Sequence, residues 1–148
     1  FETHALSQDN EHGIATGWLD GQLSERGRAL AAEMGVRRRH DGLQAVFTSD
    51  LGRAVETAKI AFHQTGIPIF VDWRLRECNY GACNGHRADD LHRDRGRFLD
   101  IPYPYGESWR QAVTRWACDH LLSGIPLAEL IRADFAWREG WEYRIPTP

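Results

Sequence analysis

Between Ser24 and Val71 the spacing of apolar residues alternates between helical and extended, and this rhythm constrains the chain more than any other feature. Ser24 is a good helix N-cap before Glu25. Leu30, Met34 and the alanines at 29, 31 and 32 give the helix that follows an apolar side, running to about Arg39. Asp41-Gly42 breaks it, and Ala45-Val46-Phe47-Thr48 reads as a short buried strand ending at Ser49-Asp50. Leu51, Ala54, Val55, Ala58, Ala61 and Phe62 then recur at three- and four-residue steps, which predicts a second helix with Gly66 as its stop. Pro68 to Val71 reads as another strand. Helix, strand, helix, strand in this order implies an α/β layer fold with parallel strands.

The rest of the chain is read more coarsely. Gly81, Gly85, Pro102, Pro104 and Gly106 break up residues 78–106, leaving one short polar helix around Asp89 to Phe98. A connection this long inside a compact domain is usually functional or mobile. Ser108 caps a further helix with Trp109, Ala112, Val113, Trp116, Ala117 and Leu121 on one face and Gly124 at its end. A short helix from Pro126 and a hairpin around Arg138-Glu139-Gly140 are expected beyond it. At 148 residues the whole of 1–148 is expected to be a single domain. The net charge of -3 gives no whole-molecule attraction to nucleic acid or an anionic membrane. The run Arg37-Arg38-Arg39-His40 reads as a solvated helix end that complements the dipole. Three cysteines, Cys78, Cys83 and Cys118, form an odd set in a chain with no signal peptide, which points to a reducing, cytoplasmic setting. No apolar run approaches the length of a membrane span.

Three clusters carry residue types suited to chemistry. Thr3-His4, with Asn10 downstream and Gly13, Gly17 and Gly21 beyond, could supply a nucleophile or base; an ordinary surface histidine is the alternative. Ser49-Asp50-Leu51-Gly52-Arg53-Ala54 lies where a strand hands over to a helix, the usual ligand end of α/β folds. A cation in the first turn opposes the helix dipole, so an anionic partner such as phosphate would explain Arg53. A pairing with Asp50 or Glu56 explains it equally well. In Arg74-Leu75-Arg76-Glu77, followed by Tyr80-Gly81, a carboxyl flanked by arginines would stay ionised, whereas one facing a phosphate would be raised in pKa and suited to proton donation. A structural ion pair is the alternative reading of Glu77.

Read in order, these clusters resemble the histidine phosphatase (phosphoglycerate mutase-like) superfamily. Thr3-His4-Ala5 with Asn10 is similar to its Arg-His-Gly/Ala signature and downstream Asn. Gly17-Trp18-Leu19-Asp20 and Leu23-Ser24-Glu25-Arg26-Gly27 resemble its Gly-x-x-Asp and Leu-Ser/Thr-x-x-Gly elements. Thr48-Ser49-Asp50-Leu51 with Arg53-Ala54 and Thr57-Ala58 looks like its Ser-Asp-Leu-x-Arg-Ala-x-x-Thr-Ala motif. Leu75-Arg76-Glu77 with Gly81 and Gly85, and Gly106-Glu107-Ser108, are similar to its remaining runs, so the likeness covers most of residues 3–113. The resemblance implies a three-layer α/β sandwich with a mainly parallel sheet flanked by helices. It also implies a phosphomonoester hydrolase acting through a phosphohistidine on a small phosphorylated metabolite. His4 would attack phosphorus, Arg53 and Asn10 would hold the phosphate, and Glu77 would protonate the leaving alcohol. Trp18, Glu107 and Ser108 would touch substrate, with no metal and no organic cofactor. The partner is then a small phosphorylated substrate or inorganic phosphate, with oligomeric state left open. Mutase action is disfavoured, because no obvious long insertion shields an exchanged phosphate.

The chain departs from the pattern in three places. Thr3 stands where the family has arginine, and only Phe1 and Glu2 precede it, where the family has a strand. Val113 runs straight into Thr114, with no Gly-His pair afterwards. A strand, part of a helix and their connections come to roughly 25–30 residues, so a segment of that order is expected to be lacking at 113/114, and with the strand before His4 the sheet is expected to lack one or two central strands. Trp109, Val113, Trp116, Ala117 and Leu121 keep helical phase across the joint, so one long helix can form there; His120 then lies inside it. Each lost donor to the transition state costs roughly 3–4 kcal/mol. A catalytically impaired phosphate-binding pseudo-enzyme is therefore the first alternative. A zinc module built from Cys78, Cys83, His86 and His92 is the second, although its spacing is uncommon. His86, Tyr103, Tyr105 and Trp109 could line a pocket mouth beside Trp18.

Overall fold

The computed structural model describes the backbone of residues 2–122 and side chains as far as Arg115. The elements run α1 (Gln8–Glu11), β1 (Ile14–Ala15), α2 (Glu25–Arg38), β2 (Val46–Thr48), α3 (Gly52–Phe62), β3 (Ile69–Val71), β4 (His86–Arg87), α4 (Ala88–Asp94) and α5 (Trp109–Leu122). Single 3-10 turns at Trp73–Leu75 and Gly81–Cys83 interrupt the connection after β3. The expected short helix after Pro126, the Gly124 stop and the hairpin at 138–140 lie outside the described residues.

The α/β rhythm between Ser24 and Val71 is realised, but the strand read as buried is so only at Thr48, since Phe47 is 59% exposed and stacks on Phe70 of the neighbouring strand. Ser24 caps α2 by accepting the Gly27 N–H on its hydroxyl. β2 and β3 pair in parallel, Val46 opposite Ile69 and Thr48 opposite Val71, with α3 as the crossover between them. Parallel neighbours need such a connection, because a tight turn can only reverse the chain. α3 stops at Phe62, short of Gly66, which turns the chain onward at φ 70°. β1 and β4 form a second, antiparallel pair, and Ser7 and Leu23 form an isolated bridge. Among the described residues, then, the strands form two separate pairs, β2–β3 parallel and β1–β4 antiparallel, rather than one mainly parallel sheet.

Three clusters make the interior. Ala5, Leu23 and Ala31 pack under Leu30 and Ile60, and Met34, Ala61 and Phe62 pack against Leu43, Val46, Ile67 and Ile69. Together they seal α2 against α3. Gly35 is needed there, since a Cβ on it would come within 2.1 Å of the Ala61 carbonyl oxygen. The third cluster is aromatic: Cys78, Tyr80, Leu91, Tyr103 and Ala112, with Phe98 and Trp109 against it. It orders the Gly- and Pro-broken stretch. The expected polar helix there is shorter than its pattern, ending at Asp94 and giving way to turns before Phe98. α5 does run unbroken across the 113/114 joint.

Candidate active site

Arg53 sits in the first turn of α3, directly after β2, and only 1% of it is exposed. A buried guanidinium must have its donors satisfied, and four acceptors surround this one. Nη1 donates to the Leu19 carbonyl at 3.2 Å and Nη2 to the Gly17 carbonyl at 2.7 Å. Nη2 also reaches Glu77 Oε2 at 3.0 Å, and Nε donates to His4 Nε2 at 3.1 Å. Gly17 can aim its carbonyl inward because it adopts φ 56°, and a Cβ there would lie 1.9 Å from Asn84 Oδ1. Neither Asp50 nor Glu56 pairs with Arg53, so of the two readings held equal from the sequence the local ion pair is not the one found. Asp50 takes Arg76 at 2.5 Å, which holds its carboxyl below the usual range, and Glu56 takes Arg28 at 2.6 Å.

His4 is tied to the same helix. The Ala5 N–H donates to Thr57 Oγ1, whose hydroxyl donates to the Arg53 carbonyl one turn earlier. Nδ1 of His4 lies 2.7 Å from the Ala5 carbonyl, so Nδ1 carries the proton and donates it. Nε2 faces a permanently protonated donor, Arg53 Nε, and must therefore present a lone pair. Burial lowers the imidazole pKa, the Ala5 carbonyl works against it, Arg53 lowers it further and Glu77 opposes. The neutral form is the one that can attack phosphorus.

Glu77 follows the 3-10 turn after β3. Its Oε1 accepts the Tyr80 hydroxyl at 2.6 Å while Oε2 meets Arg53, and 36% of its side chain stays open to solvent. Burial, then the Glu77 charge, pushes the Tyr80 hydroxyl far up, so it acts as a donor throughout the ordinary pH range. The two flanking arginines do not take Glu77: Arg74 forks onto Asp72 and Arg76 onto Asp50. His4, Arg53 and Glu77 thus meet in one place.

The other sequence-derived residues divide. Trp18 is beside the site: its Nε1 donates to the Glu77 carbonyl at 2.8 Å, and its ring lies 4.6 Å from the Arg76 guanidinium. Asn10 is the third residue of α1, where its Oδ1 accepts the Ser7 N–H in a reciprocal cap; its amide NH2 is the donor it can offer an anion. Ser108 is buried and caps α5 in a reciprocal pair with Gln111. Glu107 lies behind the site, accepting the Asn79 N–H at 2.8 Å and Arg115 at 2.7 Å. Of the expected pocket-mouth aromatics, Tyr103 and Trp109 belong to the core cluster and Tyr105 is 96% exposed. The zinc set does not assemble. Cys78 is buried in the aromatic cluster with its thiol pushed up to about 12 by burial, and no metal-holding group of His, Cys, Asp or Glu exists among the described residues. Tyr80, singled out in the cluster after Glu77, does join the site, whereas the carbonyls of Gly17 and Leu19 and the side chain of Arg115 escaped the sequence reading, because no local pattern ties them to Arg53 or Glu77.

The match to known proteins agrees with this geometry. The family model for histidine phosphatase superfamily (branch 1) matches residues 3–119. The chain belongs to the histidine phosphatase superfamily. It is 34% identical over 125 residues to a 2,3-bisphosphoglycerate-dependent phosphoglycerate mutase of Rhodopseudomonas palustris, covering 76% of this chain and 60% of that one. It is 39% identical over 118 residues to a phosphoglycerate mutase of Candida albicans, covering 74% and 44%. Among solved structures, Bacillus stearothermophilus YhfR superposes with TM-score 0.67 at 31% identity, covering 81% and 63%. A mycobacterial glucosyl-3-phosphoglycerate phosphatase in complex with VO3 gives TM-score 0.69 at 28% identity, covering 83% and 66%. The chain therefore spans about three fifths or less of the length of these curated relatives. The superfamily's α/β fold class holds, and no helix among the described residues is long and apolar enough to cross a membrane.

Proposed function

We propose that the chain is a phosphomonoester hydrolase that works through a phosphohistidine on a small phosphorylated metabolite. One observation carries this reading: a neutral imidazole, His4, presents its Nε2 lone pair 3.1 Å from a buried guanidinium that also holds the Glu77 carboxyl. The kinship with proteins named phosphatases and mutases supports it. In the first step His4 Nε2 forms a bond to phosphorus while the bond from phosphorus to the ester oxygen breaks. As the phosphate draws Arg53 away, the part-exposed Glu77 carboxylate takes up a proton from solvent and gives it to that oxygen, and the alcohol leaves. Water then attacks the phosphohistidine, its proton returns to Glu77, and phosphate departs with the imidazole restored. Arg53 binds phosphoryl oxygens throughout, exchanging contacts to Glu77 and His4 for contacts to the anion. Asn10 contributes its side-chain NH2.

A second reading, a phosphate-binding domain without turnover, is favoured by Thr3, which puts a hydroxyl where the family has an arginine beside the nucleophile. A phosphatase assay with p-nitrophenyl phosphate, combined with trapping of an acid-labile phosphoryl group, separates the two. Turnover by the wild type and its loss in His4→Ala support the hydrolase. Stabilisation by orthovanadate without turnover supports the binding domain, and neither effect defeats both.

A further inference from the structure

The stretch that carries Glu77 is held from behind by an ion pair that the phosphatase reading does not use. Arg115 Nη1 donates to the Trp73 carbonyl at 3.3 Å. Its Nη2 donates to the carbonyls of Arg76 at 3.2 Å and Glu77 at 3.3 Å, and to Glu107 Oε1 at 2.7 Å. The same Glu107 oxygen accepts the Asn79 N–H at 2.8 Å. One ion pair therefore grips the main chain on both sides of Glu77: carbonyls at 73, 76 and 77, and an N–H at 79. The Arg115 guanidinium also stands 5.2 Å from the centre of the Trp18 ring, whose Nε1 donates to the same Glu77 carbonyl. Only 10% of the Arg115 side chain is exposed, so these contacts are made with little competing water.

We propose that Arg115, paired with Glu107, is a positioning residue that fixes the Glu77 main chain, so that its carboxyl rests on Arg53 in the free protein and reaches the leaving oxygen when the phosphate takes Arg53 over. The proposal rests on the phosphatase reading. The Glu77 side chain itself has two polar anchors, Arg53 and Tyr80, and both are directional hydrogen bonds. Whether they can be reached depends on where the Glu77 backbone points. An error of about 1 Å in placing a reacting group costs on the order of a hundredfold in rate. A backbone held by a single planar fork with several simultaneous acceptors is well suited to prevent that error. Arg115 reaches this position because α5 continues past Val113 without a break. Glu107, with one oxygen shared between Asn79 and Arg115, belongs to the brace rather than to the substrate.

The test compares full-length wild type, Arg115→Met and Arg115→Lys on two phosphomonoesters, after confirming that each variant melts cooperatively. An alkyl phosphate needs a proton on its leaving oxygen, whereas 2,4-dinitrophenolate departs without one. Arg115→Met is expected to lower kcat for the alkyl phosphate by roughly ten- to a hundredfold and to leave the dinitrophenyl ester nearly unchanged. Arg115→Lys, which keeps the Glu107 pair but loses the fork, is expected to fall between. Equal losses on both esters would mean a merely structural role and overturn the proposal. So would a further loss when Arg115→Met is added to Glu77→Gln. Failure of the wild type on both esters sinks the phosphatase reading instead, and crystals then judge the brace. In Arg115→Met the contact from Glu77 Oε2 to Arg53 is expected to open, and a contact kept at 3.0 Å would refute the brace.

Discussion

α2, β2, α3 and β3 bury small residues, Ala31, Ala58 and Ala61 with Met34 and Phe62, through helix faces that close on each other. Residues 73–115 bury large ones instead. Tyr103 stacks on Phe98 at 3.9 Å between centroids and meets Tyr80 edge-on at 5.3 Å, and the surrounding chain is tied by side chains to backbone carbonyls and N–H groups. The first half is a packing of regular elements; the second is an irregular chain wrapped on aromatic rings and polar braces. The two meet at Arg53, which comes from the first and holds Glu77 of the second. Such an arrangement makes the candidate site sensitive to damage on either side of it.

Breaking the aromatic half should have the largest effect. Tyr103→Ala removes a buried ring with two ring partners and is expected to cost about 4 kcal/mol in urea unfolding. A cost near 1 kcal/mol would show that the polar ties alone hold residues 73–115. Next comes the joint. Arg53→Met leaves the Gly17 and Leu19 carbonyls without their donor and frees Glu77, for an expected loss of about 3 kcal/mol, moderated because Glu77 is partly exposed. Orthovanadate should no longer raise the melting temperature of that variant. Full vanadate stabilisation in Arg53→Met would move the anion site away from the joint.

The smallest expected effect is a pH slope. His4 is held below its ordinary value of 6.5, so the unfolded chain takes up its proton first as pH falls. Wild type should lose stability as pH drops from about 6.5 towards the lowered folded value, at no more than about 1.4 kcal/mol per pH unit. Subtracting the profile of His4→Gln isolates this contribution. An identical slope in both proteins would mean that His4 is not held neutral, which removes the nucleophile from the site.

Much of the helical half was legible in the sequence because its signals are local. The Ser24 cap, the apolar steps from Leu51 to Phe62 and the short strands at Val46 and Ile69 depend on near neighbours in the chain. The motifs likewise named His4, Arg53 and Glu77 before their distances were known. In the other half, periodicity offered little. Pro and Gly break residues 78–106, and the order there comes from Glu107 and Arg115 reaching back 28 to 42 residues to backbone groups. α1 escaped notice because four residues are too few to show a period, although its reciprocal Ser7–Asn10 cap was written in the chain.

By itself the sequence determined α2, α3 and the start of α5, the parallel pair and the residue types suited to phosphoryl transfer, because propensity, capping and hydrophobic period act over a few residues. The tertiary structure alone decided which partner each ionisable group took. Arg53 could have paired with Asp50 or Glu56 close by, yet it turned inward to Glu77, Gly17, Leu19 and His4, while Arg76 and Arg28 took the nearer carboxylates. A buried guanidinium needs acceptors on several sides at once, and only a folded chain brings them together.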